Sequence, residues 1–251
     1  MKHQFRQRLR SGALLVGTIA TLGYPEVAEI LTAVGFDWLF LDAEHGTFEA
    51  PTMQRFLQGA GPNMPCLVRI SASEEVPIKK ALDVGAAGII APMVNSAEQA
   101  EQVVRLSKYA PLGTRGVGVG RAHGYGLSFQ EYVQRANEDV SVVIQAEHIE
   151  AVENIEAIVQ VPGIDAVLIG PYDLSASLGR LGQVDHPEVV SAVDRVTQAC
   201  QRAGVPLGIF GMSAKAVRPY IERGYTLIVV GIDAMLLGTA AEQLLAQVKV
   251  G

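Results

Sequence analysis

The feature that most limits what this chain can become is a rhythm. Eight short, nearly continuous apolar runs, rich in β-branched residues, recur along its 251 residues. They fall at 14–19, 37–42, 66–70, 88–91, 142–147, 165–169, 206–210 and 227–231. A strand with one wet face alternates apolar and polar residues, whereas a continuous apolar run suits a strand buried on both faces, as in a helix-covered parallel sheet. Helical patterns separate nearly all of the runs, at 25–34, 51–59, 76–84, 97–109, 149–160, 187–203, 213–223 and 234–248. Pro25 stands at a first helical position and Gly35 and Gly85 at helix ends, the asymmetry helices favour. Ser96 followed by Gln99 has the form of a capping box. The rhythm predicts a (β/α)8 TIM barrel filling residues 1–251 as one domain. It breaks once, at 112–140, where a Gly-rich stretch precedes a short helix at 129–137. An open doubly-wound sheet fits eight strands less well. It also wants a GxGxxG after a strand, and Gly116-Val117-Gly118-Val119-Gly120 follows Pro111 without one.

Composition excludes several classes. Hydrophobic residues make up 49% and charged residues 18%, a globular balance rather than a disordered one. The formal charge of −6, with no basic run beyond the first ten residues, argues against nucleic acid as a partner. Cys66 and Cys200 form no CxxC and suggest neither a disulfide framework nor a zinc site. Lys2, Arg6, Arg8 and Arg10 before the apolar stretch 11–23 mimic a secretory signal. However, Gly12, Gly17 and Thr18 interrupt that stretch, which runs directly into the helical pattern at Pro25. Phe5 and Leu9 are spaced as on a short amphipathic helix. No apolar run reaches the roughly 20 residues a membrane helix needs. The expectation is a cytoplasmic protein with no membrane partner.

A barrel of this kind works at the C-terminal ends of its strands, so polar residues there carry the information. Strand two ends at Asp42, with Glu44 and His45 just beyond. Strand three carries Arg69, strand five Gln145 and Glu147, and the loop after strand six Asp173. Alternation places Trp38, Phe40 and Asp42 on one face, and Val143, Gln145 and Glu147 on another. A buried charge must be paired or bound. One possibility is an ion pair of Arg69 with Asp42 or Glu147, and a single pair would leave two carboxylates over. Carboxylates with an amide oxygen are the hard donors that Mg2+ or Mn2+ prefers. His45, near a carboxylate, suits a general base. Lys2, Lys79, Lys80, Lys108, Lys215 and Lys249 all lie off the expected strands, which argues against Schiff-base chemistry and leaves charge stabilisation to a metal and Arg69.

Six segments in order complete the pattern: 36–46, ending Asp42-Ala43-Glu44-His45-Gly46; Val68-Arg69; Gly88-Ile89-Ile90-Ala91-Pro92-Met93-Val94; Gly113-Thr114-Arg115-Gly116; Gln145-Ala146-Glu147; and 170–179, beginning Gly170-Pro171-Tyr172-Asp173. Together they resemble the HpcH/HpaI aldolases, metal-dependent class II pyruvate aldolases, over almost the whole chain. The resemblance implies Glu147 and Asp173 as ligands of a divalent cation (Mg2+, Mn2+ or Co2+), with Gln145 beside it. It implies His45 as the acid/base group with Asp42 as its carboxylate partner, and Arg69 at the keto or enolate oxygen. Backbone N–H groups of Tyr172 and Asp173 would hold the pyruvate carboxylate. It further implies a C-terminal helix exchanged between subunits, a hexamer of paired trimers, and a 2-keto acid and an aldehyde as small-molecule partners. Two alternatives stand beside the aldolase: an acyl-CoA lyase of the citrate-lyase β type, which would want a basic patch for the CoA phosphates, and a barrel that binds a metal or keto acid without turnover.

Overall fold

The computed structural model describes residues 4–249; Lys2 and the last two residues lie outside them. Eight parallel strands close into a barrel in chain order. They are β1 (Leu15–Ala20), β2 (Trp38–Asp42), β3 (Cys66–Arg69), β4 (Gly88–Ala91), β5 (Ser141–Ala146), β6 (Ala166–Ile169), β7 (Leu207–Gly211) and β8 (Leu227–Ile232), and β8 pairs back onto β1. The barrel read from the sequence is therefore the fold, with no strand end displaced by more than one residue.

The helices are α1 (Phe5–Arg10), α2 (Pro25–Val34), α3 (Ala50–Ala60), α4 (Glu75–Asp83), α5 (Ala97–Ser107), α6 (Phe129–Asp139), α7 (Ile149–Glu153), α8 (Ile155–Ile158), α9 (Pro171–Ser177), α10 (Pro187–Ala203), α11 (Ala214–Glu222) and α12 (Asp233–Lys249). The single helix expected at 149–160 is two, because Asn154 leaves helical geometry and its side chain donates instead to the Asn95 carbonyl. The capping box at α5 is half formed. Ser96 Oγ accepts from Gln99 N–H, but Gln99 Oε1 accepts from Asn95, one residue earlier than the motif requires. The short α9 is an addition to the expected elements.

Two apolar layers result. One lies between the strands and the outer helices. The other fills the barrel with Leu15, Ile19, Trp38, Phe40, Leu67, Ile90, Val143, Leu168 and Val229. Phe5 and Leu9 of α1 join that inner layer, so the amphipathic N-terminal segment plugs the barrel bottom, with the Phe5 ring centroid 6.0 Å from that of Trp38. Trp38 fits because Gly17 faces it: a Cβ there would lie 2.6 Å from the indole. The same end holds Lys108, whose Nζ donates to the Asn137 and Val140 carbonyls at 3.0 and 2.6 Å. Burial, with the charge of Arg6 nearby, pushes its amine down to about 8. That buried lysine therefore sits at the opposite end from the mouth.

The irregular segment folds as a clasp. Arg115 of the Gly113–Gly116 motif is buried, donating to Asp83 at 2.6 Å and to the Tyr132 hydroxyl at 3.1 Å. His123 is buried against Tyr109, Nε2 to Oη 3.0 Å. The clasp ties α4, α5 and α6 together and contributes no residue to the cavity at the mouth. At the other extreme, every residue of 234–249 is exposed, including Met235, Leu236, Leu237, Leu244, Leu245 and Val248. Among the described residues, no helix is long and apolar enough to cross a membrane.

Candidate active site

The C-terminal ends of the strands open onto a cavity of about 360 Å³. Strand register decides its central contact. Asp42 and Arg69 are direct partners in the β2–β3 ladder, so their side chains emerge side by side on the inner face. Arg69 Nη2 and Nε donate to the two Asp42 oxygens at 2.6 and 3.0 Å. Only 10% of the Arg69 side chain and 4% of that of Asp42 is exposed. Burial alone would raise the Asp42 carboxyl, but the hydrogen bond and charge of Arg69 and two backbone N–H groups outweigh it and hold it below its ordinary value. The guanidinium is held above its own.

Asp42 does a second job. Its Oδ1 accepts from the backbone N–H groups of Glu44 and His45, at 3.1 and 3.2 Å, and so fixes the turn that carries the histidine. This corrects one expectation. The Asp42 carboxylate does not face the His45 ring; it is taken up by its cross-strand neighbour. The carboxylate beside the ring is that of Glu44, 3.7 Å from His45 Nε2 and 3.3 Å from Arg69 Nε. Burial raises the Glu44 carboxyl despite the nearby arginine.

Of the other carboxylates, Asp173 lines the cavity, whereas Glu147 lies behind the lining residues Gln145 and Gly170, within electrostatic reach of Asp173. Glu147 is 3% exposed. Its Oε1 accepts the Met93 backbone N–H at 2.8 Å, and its Oε2 accepts from the Gln145 amide. Burial, reinforced by the charge of Asp173, pushes it up to about 7. Met93 reaches it from a left-handed backbone, φ +53°, a conformation unusual for a non-glycine residue and a recurrent sign of a functional site. Gly170 leaves the room: a Cβ there would lie 2.9 Å from Glu147 Oε2 and 3.0 Å from Gln145 Nε2. Asp173 is in the first turn of α9, where the N–H groups of Tyr172 and Asp173 have no partner within the helix. Nothing in their side-chain chemistry marks Met93 or Gly170 for a role, because both act through the backbone. Glu44 was legible as a polar residue past strand two, though not as the partner of Arg69.

These residues also test the fit of a cation. No group of three or more His, Cys, Asp or Glu among the described residues could hold a metal alone. Yet among the described residues Glu147 is a buried carboxylate with no direct ion pair, Arg69 acting on it only at a distance, and Gln145 Oε1 is buried with no hydrogen-bond partner. With Asp173 that makes two carboxylates and an amide oxygen, a hard oxygen set of the kind Mg2+ accepts when substrate and water complete the shell.

A (β/α)8 barrel with spare carboxylates, a fixed arginine and a histidine around one deep mouth is an enzyme scaffold, built to take up a small anion and to move protons beside it. Comparison with known proteins says which one. Residues 20–240 match the family described as HpcH/HpaI aldolase/citrate lyase, and the chain belongs to that family of carbon–carbon lyases. It is 38% identical to a hydroxypyruvate/pyruvate aldolase of Pseudomonas aeruginosa, over 99% of this chain and 94% of the relative. It is also 38% identical to a 4-hydroxy-2-oxo-heptane-1,7-dioate aldolase of Klebsiella pneumoniae, over 98% and 94%. The crystal structure of an HpcH/HpaI aldolase/citrate lyase family protein from Burkholderia cenocepacia superposes with a TM-score of 0.94 at 37% identity, covering 98% of this chain and 99% of that one.

Proposed function

We propose that the protein is a metal-dependent class II aldolase. It reversibly cleaves 4-hydroxy-2-keto acids to pyruvate, or a close 2-keto acid such as hydroxypyruvate, and an aldehyde. The observation that carries this reading is the buried Glu147 beside the unpartnered Gln145 Oε1, at a cavity that Gln145 and Arg69 line and that, among the described residues, no lysine lines. A charge-compensating cation fits there and a Schiff base does not.

Glu147, Asp173 and the Gln145 oxygen would hold the ion, Mg2+, Mn2+ or Co2+. When bound, it supplies Lewis-acid polarisation of the keto group. The chain does the rest. The unpaired N–H groups of Tyr172 and Asp173 receive the substrate carboxylate. Arg69, locked by Asp42, places fixed positive charge at the keto oxygen as it becomes an enolate oxygen. His45 takes the C4 hydroxyl proton; the C3–C4 bond breaks, its electron pair passes into the enolate, and the aldehyde leaves. Protonation at C3 yields pyruvate. Asp42 is a positioning residue in this scheme, and Glu44 is the carboxylate that steadies the His45 ring.

The same reading makes the protein one domain over residues 1–251 and a homo-oligomer, a hexamer of paired trimers in which a second copy covers the apolar stripe of α12. Light scattering should find a particle well above 27 kDa. The burial of both Cys66 and Cys200 suits a reducing, cytoplasmic setting. The decisive experiment incubates metal-loaded protein with pyruvate and a panel of aldehydes and identifies the adducts. Full activity in chelator, or trapping of a pyruvate adduct by borohydride, would overturn the metal reading.

A further inference from the structure

The polar groups do not ring the mouth evenly. Asp42, His45, Arg69 and Gln145 come from the β2, β3 and β5 side, with Asp173 on α9. The half running from β7 through β8 to β1 offers Phe210, Met212, Ile232 and Ile19 to the cavity; the one polar residue of that half among the described residues, Thr21, spends its hydroxyl on Asp233 at 2.8 Å. Tyr172 closes over this wall, its ring centroid 6.1 Å from that of Phe210. His45 follows β2, the strand next to β1, so the proposed base stands where the two halves meet.

Charge separates the halves as sharply. Arg69 is the sole Lys or Arg among the described residues lining the cavity, and it is engaged by Asp42 and Glu44. The ionisable group behind the apolar wall is another carboxylate. Asp233, 5% exposed, accepts from the backbone N–H groups of Thr21, Leu22 and Ala234 at 3.0, 2.9 and 2.7 Å. An anionic tail laid along this wall would be desolvated beside a like charge with no cation to meet it. An alkyl or aryl tail would be buried against apolar side chains.

We infer that the aldehyde partner is uncharged and carries an alkyl or aryl group seated on the β7–β8–β1 wall, and that aldehydes ending in a carboxylate are poor partners. This rests on the aldolase reading above. The reaction balances without any co-reactant. Pyruvate loses a C3 proton to give the enolate, C3 bonds to the aldehyde carbon, and the carbonyl electron pair becomes an oxyanion that takes up one proton. The 4-hydroxy-2-keto acid therefore contains every atom of pyruvate and of the aldehyde.

The test compares kcat/KM of the intact, Mg2+-loaded protein for pentanal and benzaldehyde with that for 4-oxobutanoate, at saturating pyruvate. Exchange of the pyruvate methyl protons in D2O is followed in parallel by NMR, because it reports enolate formation without any aldehyde. The uncharged aldehydes should be favoured about tenfold or more, within the range that pocket contacts of this size provide. Met212→Lys, at a half-buried position on the apolar wall, should narrow or reverse that ratio and leave proton exchange in place. Exchange with 4-oxobutanoate equal or superior in the unaltered protein overturns the inference and leaves the aldolase reading intact. Absence of both exchange and adducts overturns both. The ratio in the unaltered protein decides even if Met212→Lys does not fold.

Discussion

Arg69→Ala should damage the fold and the chemistry by separate routes, and the geometry says by how much. The substitution removes the donors 2.6 and 3.0 Å from Asp42 and leaves a carboxylate 3% exposed. Breaking one partner of a buried pair costs about 3–5 kcal/mol. Asp42 keeps the N–H groups of Glu44 and His45, so the lower end applies. For a domain of this size about 3 kcal/mol lowers Tm by roughly 6–12 °C. The loss of fixed charge at the enolate oxygen should separately cost about 10²–10³ in kcat. The double variant Asp42→Asn/Arg69→Met separates the two. The amide oxygen it places at position 42 can still accept from both backbone N–H groups, and of the two carboxylates that Arg69 engages only the part-exposed Glu44 is left without it. Its Tm should return to within about 4 °C of the parent, a residue of roughly 1 kcal/mol, while kcat stays low. Circular dichroism melts and initial rates on the same preparations, taken well below every Tm, provide both numbers. If kcat recovers together with Tm, Arg69 is a structural partner of Asp42 and the catalytic assignment is wrong.

Three further outcomes follow from the same geometry. Because Glu147 lies near 7 without a cation, it is protonated below that pH and a metal must displace the proton. Mg2+ or Mn2+ affinity measured by calorimetry should therefore fall up to about tenfold per pH unit below about 7 and level off above it; a flat profile on both sides of that value would remove Glu147 from the ligand set. His45→Ala should keep metal and pyruvate binding, since Glu147 and Asp173 come from other elements, but slow cleavage about 10²–10⁴-fold. Loss of metal in that variant would instead make His45 a ligand, and normal cleavage would move the proton-transfer role to Glu44. Gly170→Ala drives a Cβ to 2.9 Å from Glu147 Oε2 and 3.0 Å from Gln145 Nε2. It should weaken metal binding about tenfold with a small change in Tm, and an unchanged metal Kd would show that the pair tolerates displacement.

The barrel was legible because its cause is local and repeated. Each run, such as Cys66–Arg69 or Leu227–Ile232, is buried on both faces, and that burial writes itself into every position of the strand. Alternation also placed Asp42 on one face with Trp38 and Phe40, and Gln145 on one face with Glu147, before any coordinates. The Phe5/Leu9 spacing foretold the helix whose apolar side became the barrel plug. Which charges would join was not legible in this way. Asp42 and Arg69 lie 27 positions apart, and they pair because the parallel ladder sets those residues opposite each other. A one-residue slip would turn one of them to the other face. The partition of the remaining acids followed from that choice: Glu44 took the histidine ring and Glu147 was left without a direct ion pair. The cradle around Glu147 was invisible for a different reason. Met93 contributes a backbone N–H and Gly170 a missing Cβ, and neither has a side chain whose chemistry could announce it. The sequence by itself determined the strands, the helices and the inventory of polar groups at one end of the barrel, because hydrophobic burial acts on each segment separately. Only the closed barrel decided which of those groups are paired and which remain free for a cation and a substrate, because that depends on register and on backbone approach between distant segments.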